Sequence, residues 1–305
     1  MEIKNSAKRL CSTIGNTPLI QLNKFAPNAN LFAKLENFNP LGSVKDRTAW
    51  SMIREAEKAN KIKKGDQIVE PSSGNTGIAL AWISNARSYK LTLVMPGSVS
   101  LERRKIASFL GAKVVLTAKE LGMKGARDKA ERIAMEEGAF MPDQFSNPAN
   151  PKIHLESTGP EIWDQMAGKI GMAIFGVGTG GTLSGVAQFL KKQDKSIKII
   201  AVEPEESAVL SGNNPGAHKI EGIGAGFIPE ILKKDLIDQV ETASSKEAME
   251  SSREIAKKEG IFVGISSGAV AFVARNIANK NPNKNIVTLF PDTASRYFST
   301  DLFKP

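Results

Sequence analysis

Short runs of aliphatic and β-branched residues alternate along the chain with longer stretches in which apolar positions recur every three or four residues. QIVE is followed by IALAWISNARS, LTLVMP by SLERRKIASFL, and KVVLT by GARDKAERIAMEEG. Continuous apolar runs of this kind predict strands covered on both faces, and the intervening helices predict that the strands are parallel. The same grammar resumes at Met172 with MAIFGVG, LSGVAQFLKKQ, KIIAVEP, KEAMESSREIAKKEG, GAVAFVARNIANK and NIVTLFPD. Two α/β units are therefore expected. The break between them falls in QFSNPANP (residues 144–151), which is too rich in Asn and Pro for the interior of an element. The chain has no fixed-period repeat and no low-complexity tract.

Composition leaves that picture standing: 305 residues, 41% hydrophobic and 24% charged, can bury an ordinary globular core. The formal charge of +9 could suggest nucleic acid. Its basic residues, however, sit beside acidic ones in stretches such as EAEKANKIKKGD and SREIAKKEG, as on solvated helix faces, and no nucleic-acid partner is expected. A mild positive field suits an anionic cofactor and a carboxylate substrate. The single cysteine, Cys11, excludes a disulfide framework and a thiolate cluster, and two histidines, His154 and His218, do not make a multi-histidine site. No metal is expected. The opening segment MEIKNSAKRLCSTIGNTPLI lacks the apolar centre of a signal peptide, and no later stretch has the roughly 18 uncharged apolar residues of a membrane span. The expectation is a cytoplasmic protein with no membrane partner.

Candidate chemistry lies in loops that follow apolar strands, where open α/β sheets collect ligands. PSSGNTG (71–77) offers hydroxyls and helix N-terminal N–H groups suited to a carboxylate or phosphate, though a capped helix start explains it as well. GVGTGGTLSG (176–185) has five glycines and two threonines, more than a turn requires, and points to an anion cradle. It also contains G-x-G-x-x-G at Gly176, Gly178 and Gly181, with Glu203 at the end of the next strand, so a nicotinamide-dependent dehydrogenase is an alternative. Against that stand the mid-chain position and the other loops, which a dehydrogenase leaves unexplained. In VGISSGAVAF (263–272), Ser266 and Ser267 precede a helical pattern and read most simply as N-caps. Lys45, in NPLGSVKDRTAW (39–50), opens another helix among small residues.

Taken in order, IGNTPL, NPLGSVKDR, SSGNTG, QFSNPANP, STGPEIW, GVGTGGTLSG, EGIGAGF, GISSGA and PDTASRY strongly resemble the cysteine synthase (O-acetylserine sulfhydrylase) family of fold-type II pyridoxal-5′-phosphate (PLP) enzymes, over residues 12–302. The resemblance implies an α/β fold like the tryptophan synthase β subunit, with two open twisted, mostly parallel sheets flanked by helices and the active site between domains. The larger, cofactor-binding domain would comprise 13–37 and 149–305. The smaller, mobile domain would comprise 1–12 and 38–148 and carry Lys45 and SSGNTG.

The family's site residues carry over by motif. Lys45 is implied to form the Schiff base and act as the catalytic base, and Asn75 to bond the cofactor's 3′-oxygen. Gly178, Thr179, Gly180, Gly181 and Thr182 would hold its phosphate, and Ser266 would face the pyridine nitrogen. Ser72, Ser73, Gly74, Asn75, Thr76, Gln144, Gly222 and Ala225 are implied to bind substrate. The implied reaction is β-replacement, O-acetyl-L-serine and sulfide giving L-cysteine and acetate through an α-aminoacrylate. A cysteine-degrading, sulfide-producing or lanthionine-forming enzyme uses the same residues. Cystathionine β-synthases of this fold carry Tyr and Asp where Ala225 and Gly226 stand, and those small residues favour an activated ester donor. Departures are Ser72 for the usual Thr, and Ala294 and Ser295 for Gly and Glu. A homodimer is implied, and a serine acetyltransferase C-terminal tail is a possible partner.

Overall fold

The computed structural model describes residues 10–304; residues 1–9 of the segment expected in the smaller domain, and Pro305, lie outside the described residues. In chain order, β1 (Leu19–Gln21) and β2 (Leu31–Leu35) precede α1 (Lys45–Lys58), β3 (Gln67–Pro71), α2 (Asn75–Ala86), β4 (Lys90–Pro96) and α3 (Leu101–Phe109). Next come β5 (Lys113–Thr117), α4 (Gly122–Glu137), α5 (Ala149–Ile153), a π-helical turn at His154–Thr158, and α6 (Gly159–Gln165). The chain continues through β6 (Met172–Gly176), α7 (Gly181–Gln193), β7 (Lys198–Pro204), β8 (Gln239–Ala243), α8 (Ser245–Glu259), α9 (Ile265–Lys280) and β9 (Ile286–Phe290). Every strand and helix read from the hydrophobic pattern is present. The chain divides into two compact units, 10–15, 39–41 and 45–149 in one, and 16–38, 42–44 and 150–304 in the other.

The first unit is built on a parallel sheet in the order β3-β4-β5, extended by a parallel bridge between Ile68 and Phe140. Successive strand residues point to opposite faces. Ile68, Leu91 and Leu93 pack with Ala49, Met52 and Ile53 of α1 and Ala79 and Leu80 of α2. Val69 and Val94 pack on the other side against Ala126, Ala130 and Ile133 of α4. Both faces are covered, as an all-parallel sheet requires.

The second unit has a six-stranded sheet in the order β1-β2-β9-β6-β7-β8, parallel except for β1. Ile174, Ile200, Val202 and Ile286 face the core shared with α8 and α9. Their neighbours Ala173, Phe175, Ile199, Ala201 and Val287 face the core shared with α6 and α7. α8 starts at a capping box: Ser244 Oγ accepts the Glu247 N–H at 3.3 Å, and the Glu247 carboxylate accepts the Ser244 N–H at 2.8 Å. The one charge inside β2, Lys34, is fully buried and met by Glu161 at 2.7 Å, the Thr17 carbonyl at 2.6 Å and Gln165 Oε1 at 2.9 Å. A buried ammonium persists only with such partners. Among the described residues, no helix is long and apolar enough to cross a membrane.

Candidate active site

Within the first unit, Lys45 is the first residue of α1 and is half-buried. The turn ahead of it is fixed by Asp46, whose carboxylate accepts the Leu41 N–H at 2.7 Å. The loop 72–76 joins the end of β3 to α2, whose N-cap is Gly74, with no side chain capping it. Ser72 instead reaches past the cap, its Oγ accepting the Gly77 N–H at 3.0 Å, a bond the hydroxyl of the more usual Thr could also make. Thr76 Oγ1 donates to Gln144 Oε1 at 2.6 Å across 68 residues of sequence, so the predicted carboxylate loop and the predicted glutamine come together. Arg103 on α3 adds a guanidinium bond to the Ser73 carbonyl at 3.3 Å.

The second unit brings together the glycine loop, Gly222 and Ser266. A methyl group on Gly178 would lie 2.2 Å from the Gly222 carbonyl oxygen, and one on Gly222 would lie 3.7 Å from Ser266 Oγ. A methyl group on Gly181 would lie 2.0 Å from Asn150 Oδ1. Neither Gly178 nor Gly181 has room for a larger residue. Gly180, the N-cap of α7, has φ of 81°, which suits glycine. Thr179 Oγ1 accepts from Asn150 Nδ2 at 3.0 Å and from the Gly181 N–H at 3.3 Å. With both lone pairs engaged, its O–H is left to donate. Together with the positive end of the 13-residue α7, these groups form an anion cradle. Thr182 Oγ1 lies 3.3 Å from His154 Nε2, and His154 Nδ1 lies 2.9 Å from Thr158 Oγ1. His154 thus supports the cradle through its hydroxyls.

Ser266 and Ser267 lie inside the first turn of α9, whose N-cap is Gly264. The simple N-cap reading of these serines therefore gives way to one in which both hydroxyls are buried, that of Ser267 with no hydrogen-bond partner. Ala225 is exposed. Ala294 is buried and Ser295 exposed in a short turn, where Ser295 bonds Thr293. Glu203, the acid that a dinucleotide reading needs free, is committed to the Leu210 and Ser211 N–H groups at 2.7 and 2.9 Å and to Ser211 Oγ at 2.7 Å. Among the described residues, no group of three or more His, Cys, Asp or Glu could hold a metal.

Sequence reasoning missed Asn150, which shapes the cradle, and Glu70, which supports Gln144. Asn150 stands within the QFSNPANP motif, whereas Glu70 shows only as an acid closing an apolar run.

The cradle fits a phosphate, and Ser266, buried beside Gly222, fits a heteroaromatic nitrogen that takes a neutral partner. Residues 10–292 match the family described as pyridoxal-phosphate dependent enzyme. A cysteine synthase of Staphylococcus aureus (strain Mu50 / ATCC 700699) is 49% identical over 294 residues, 95% of each chain. The crystal structure of a cysteine synthase from Entamoeba histolytica superposes with a TM-score of 0.96 at 40% identity, covering 100% of this chain and 93% of that one. A hydrogen sulfide-producing enzyme from Fusobacterium nucleatum gives a TM-score of 0.91 at 41% identity, covering 96% of this chain and 100% of the other.

Proposed function

The chain belongs to the pyridoxal-phosphate-dependent enzymes of the cysteine synthase family, and from that premise we propose that it makes L-cysteine and acetate from O-acetyl-L-serine and sulfide. Its cofactor is pyridoxal 5′-phosphate. When bound, that group supplies an electron-withdrawing ring conjugated to the substrate's Cα.

The chain's own residues do the rest. Gly178, Thr179, Gly180, Gly181 and Thr182 would hold the phosphate, Asn75 the ring oxygen and Ser266 the ring nitrogen. The loop 72–76 and Gln144 bind the substrate carboxylate and fix its Cα–H bond toward Lys45, while Gly222 and Ala225 border the side chain. Lys45 Nζ takes the Cα proton as acetate leaves Cβ, and returns it to Cα once sulfide has added at Cβ. Ser266, a neutral hydroxyl rather than a carboxylate, would not hold the ring nitrogen protonated, which would favour loss of a good β-leaving group over racemisation. The observation that most supports this reading is the cradle itself, closed to any Cβ at Gly178 and Gly181 and placed beside Ser266. The reading includes a cytoplasmic homodimer whose carboxylate loop can receive the C-terminal tail of a serine acetyltransferase.

The likeness to the Fusobacterium enzyme favours a second reading, in which cysteine is the donor and sulfide is released by the same proton transfer. Purified enzyme given O-acetyl-L-serine and sulfide is expected to release cysteine and acetate in equal amounts. Lys45→Ala is expected to lose the visible absorption of lysine-bound cofactor and roughly a thousandfold in turnover. Turnover of cysteine alone, with none of O-acetyl-L-serine, would move the assignment to the second reading.

A further inference from the structure

Glu70, next to last in β3, is 1% exposed. Its oxygens accept the backbone N–H groups of Asp143, at 2.9 Å, and Gln144, at 3.3 Å. Asp143 has φ of 48°, a left-handed conformation that Asp and Asn adopt more readily than other non-glycine residues, and the two amide bonds to Glu70 help to fix it. The next residue, Gln144, receives the Thr76 hydroxyl on its side-chain oxygen. One buried carboxylate therefore ties β3, the turn at Asp143 and the loop 72–76 together, all within the first unit.

We propose that Glu70 is a positioning residue for donor binding, clamping the amides of Asp143 and Gln144 so that Gln144 is delivered to the carboxylate loop. This deepens the β-replacement reading and rests on it. Burial pushes the Glu70 carboxyl up to about 8; the two backbone N–H groups oppose the rise, the charge of Asp143 adds to it, and Arg127 of α4 opposes it. Asp143 and Arg127 are themselves paired at 3.1 Å. Below that value a neutral carboxyl offers one strong acceptor to two N–H groups. Above it, a carboxylate offers two, and charge-assisted bonds are the stronger kind.

Glu70→Gln mimics the neutral acid and cannot ionise. In holoenzyme assayed with O-acetyl-L-serine and sulfide, the ratio of donor KM in the variant to that in wild type is expected to be about one near pH ~6.5 and to climb to about tenfold by pH ~9, with kcat changed less than about twofold. Taking the ratio cancels the ionisation of the donor's own amine. A ratio that stays flat, or a change confined to melting temperature, overturns the proposal. If Glu70→Gln does not fold, Asp143→Asn tests the same point: it keeps a residue at ease with positive φ and removes a charge that raises Glu70. Its donor-KM transition is expected at lower pH than that of wild type, and an unmoved midpoint overturns the assignment. Wild-type turnover and Gln144→Ala separate the two levels. If O-acetyl-L-serine is not turned over, or Gln144→Ala leaves donor KM unaltered, the donor-site reading falls and takes the proposal with it. If both controls behave and the ratio stays flat, Glu70 alone is wrong.

Discussion

Gly181 shows how narrow the tolerance of a site can be at the level of a single residue. A methyl group there would come within 2.0 Å of Asn150 Oδ1, and Asn150 is not free to retreat, because its Nδ2 supports Thr179 at 3.0 Å. Gly181→Ala is accordingly expected to lower the bound cofactor per chain by about tenfold at limiting cofactor, read from the ratio of visible to ultraviolet absorbance, as overpacking of a rigid contact implies. Alanine at exposed Gly138, the C-cap of α4, where nothing lies within 4 Å, provides the contrast, its cost being the positive φ of 63° alone. The glycine density of the loop was visible in the sequence because each glycine costs chain entropy and needs a reason. Glu70 was not visible in this way. Its meaning lies in two backbone amides 73 and 74 residues downstream, which no local pattern encodes.

At the level of elements, legibility followed burial. Strands buried on both faces, such as β7 with KIIAVEP and β9 with IVTLF, announce themselves as apolar runs. β2 did not, because LFAKL carries a charge in its middle, and only the structure shows that Lys34 is neutralised by Glu161 and bonded to Thr17 and Gln165. β1, with three residues, is too short to carry a pattern, and β8, QVETA, is polar at three of five positions, unlike the equally half-exposed edge strand β5 with its apolar KVVLT. The π-helical turn at His154–Thr158 was hidden for another reason: it packs against α7 so closely that a methyl group on Gly185 would lie 2.6 Å from His154 Cβ, a contact no local pattern encodes. α8, read from KEAMESSREIAKKEG, has a start that is locally encoded, with Ser244 as N-cap and Glu247 three residues on. Ser244→Ala removes the hydroxyl half of that box and is expected to lower stability by about 1 kcal/mol, measured as a lower denaturant midpoint with unchanged slope.

For the molecule as a whole, the Glu70 carboxyl leaves a signature in stability as well as in catalysis. Its value rises from 4.5 to about 8 on burial. Between those limits the folded chain holds a proton that the unfolded chain has lost, so this contribution is complete below pH 4.5 and disappears as pH rises through about 8. Wild type is therefore expected to lose more melting temperature than Glu70→Gln over that window. Parallel calorimetric scans of both proteins at several pH values check it, and coincident slopes would count against a protonated Glu70 at neutral pH.

The pairing of β2 with β9, in register from Leu31↔Ile286 to Leu35↔Phe290, has a consequence for how the protein is born. A ribosome adding about 5–20 residues per second delivers the partner of β2 on the order of ten seconds or more after β2 itself. Well before β9 is made the first unit has all three strands of its own sheet, whereas in the second β2 is paired on one side with β1 and waits on the other for the last strand to emerge. The nascent chain therefore needs a chaperone most on behalf of the segment made first, and a stop codon shortly before Ile286 would strand β2 permanently.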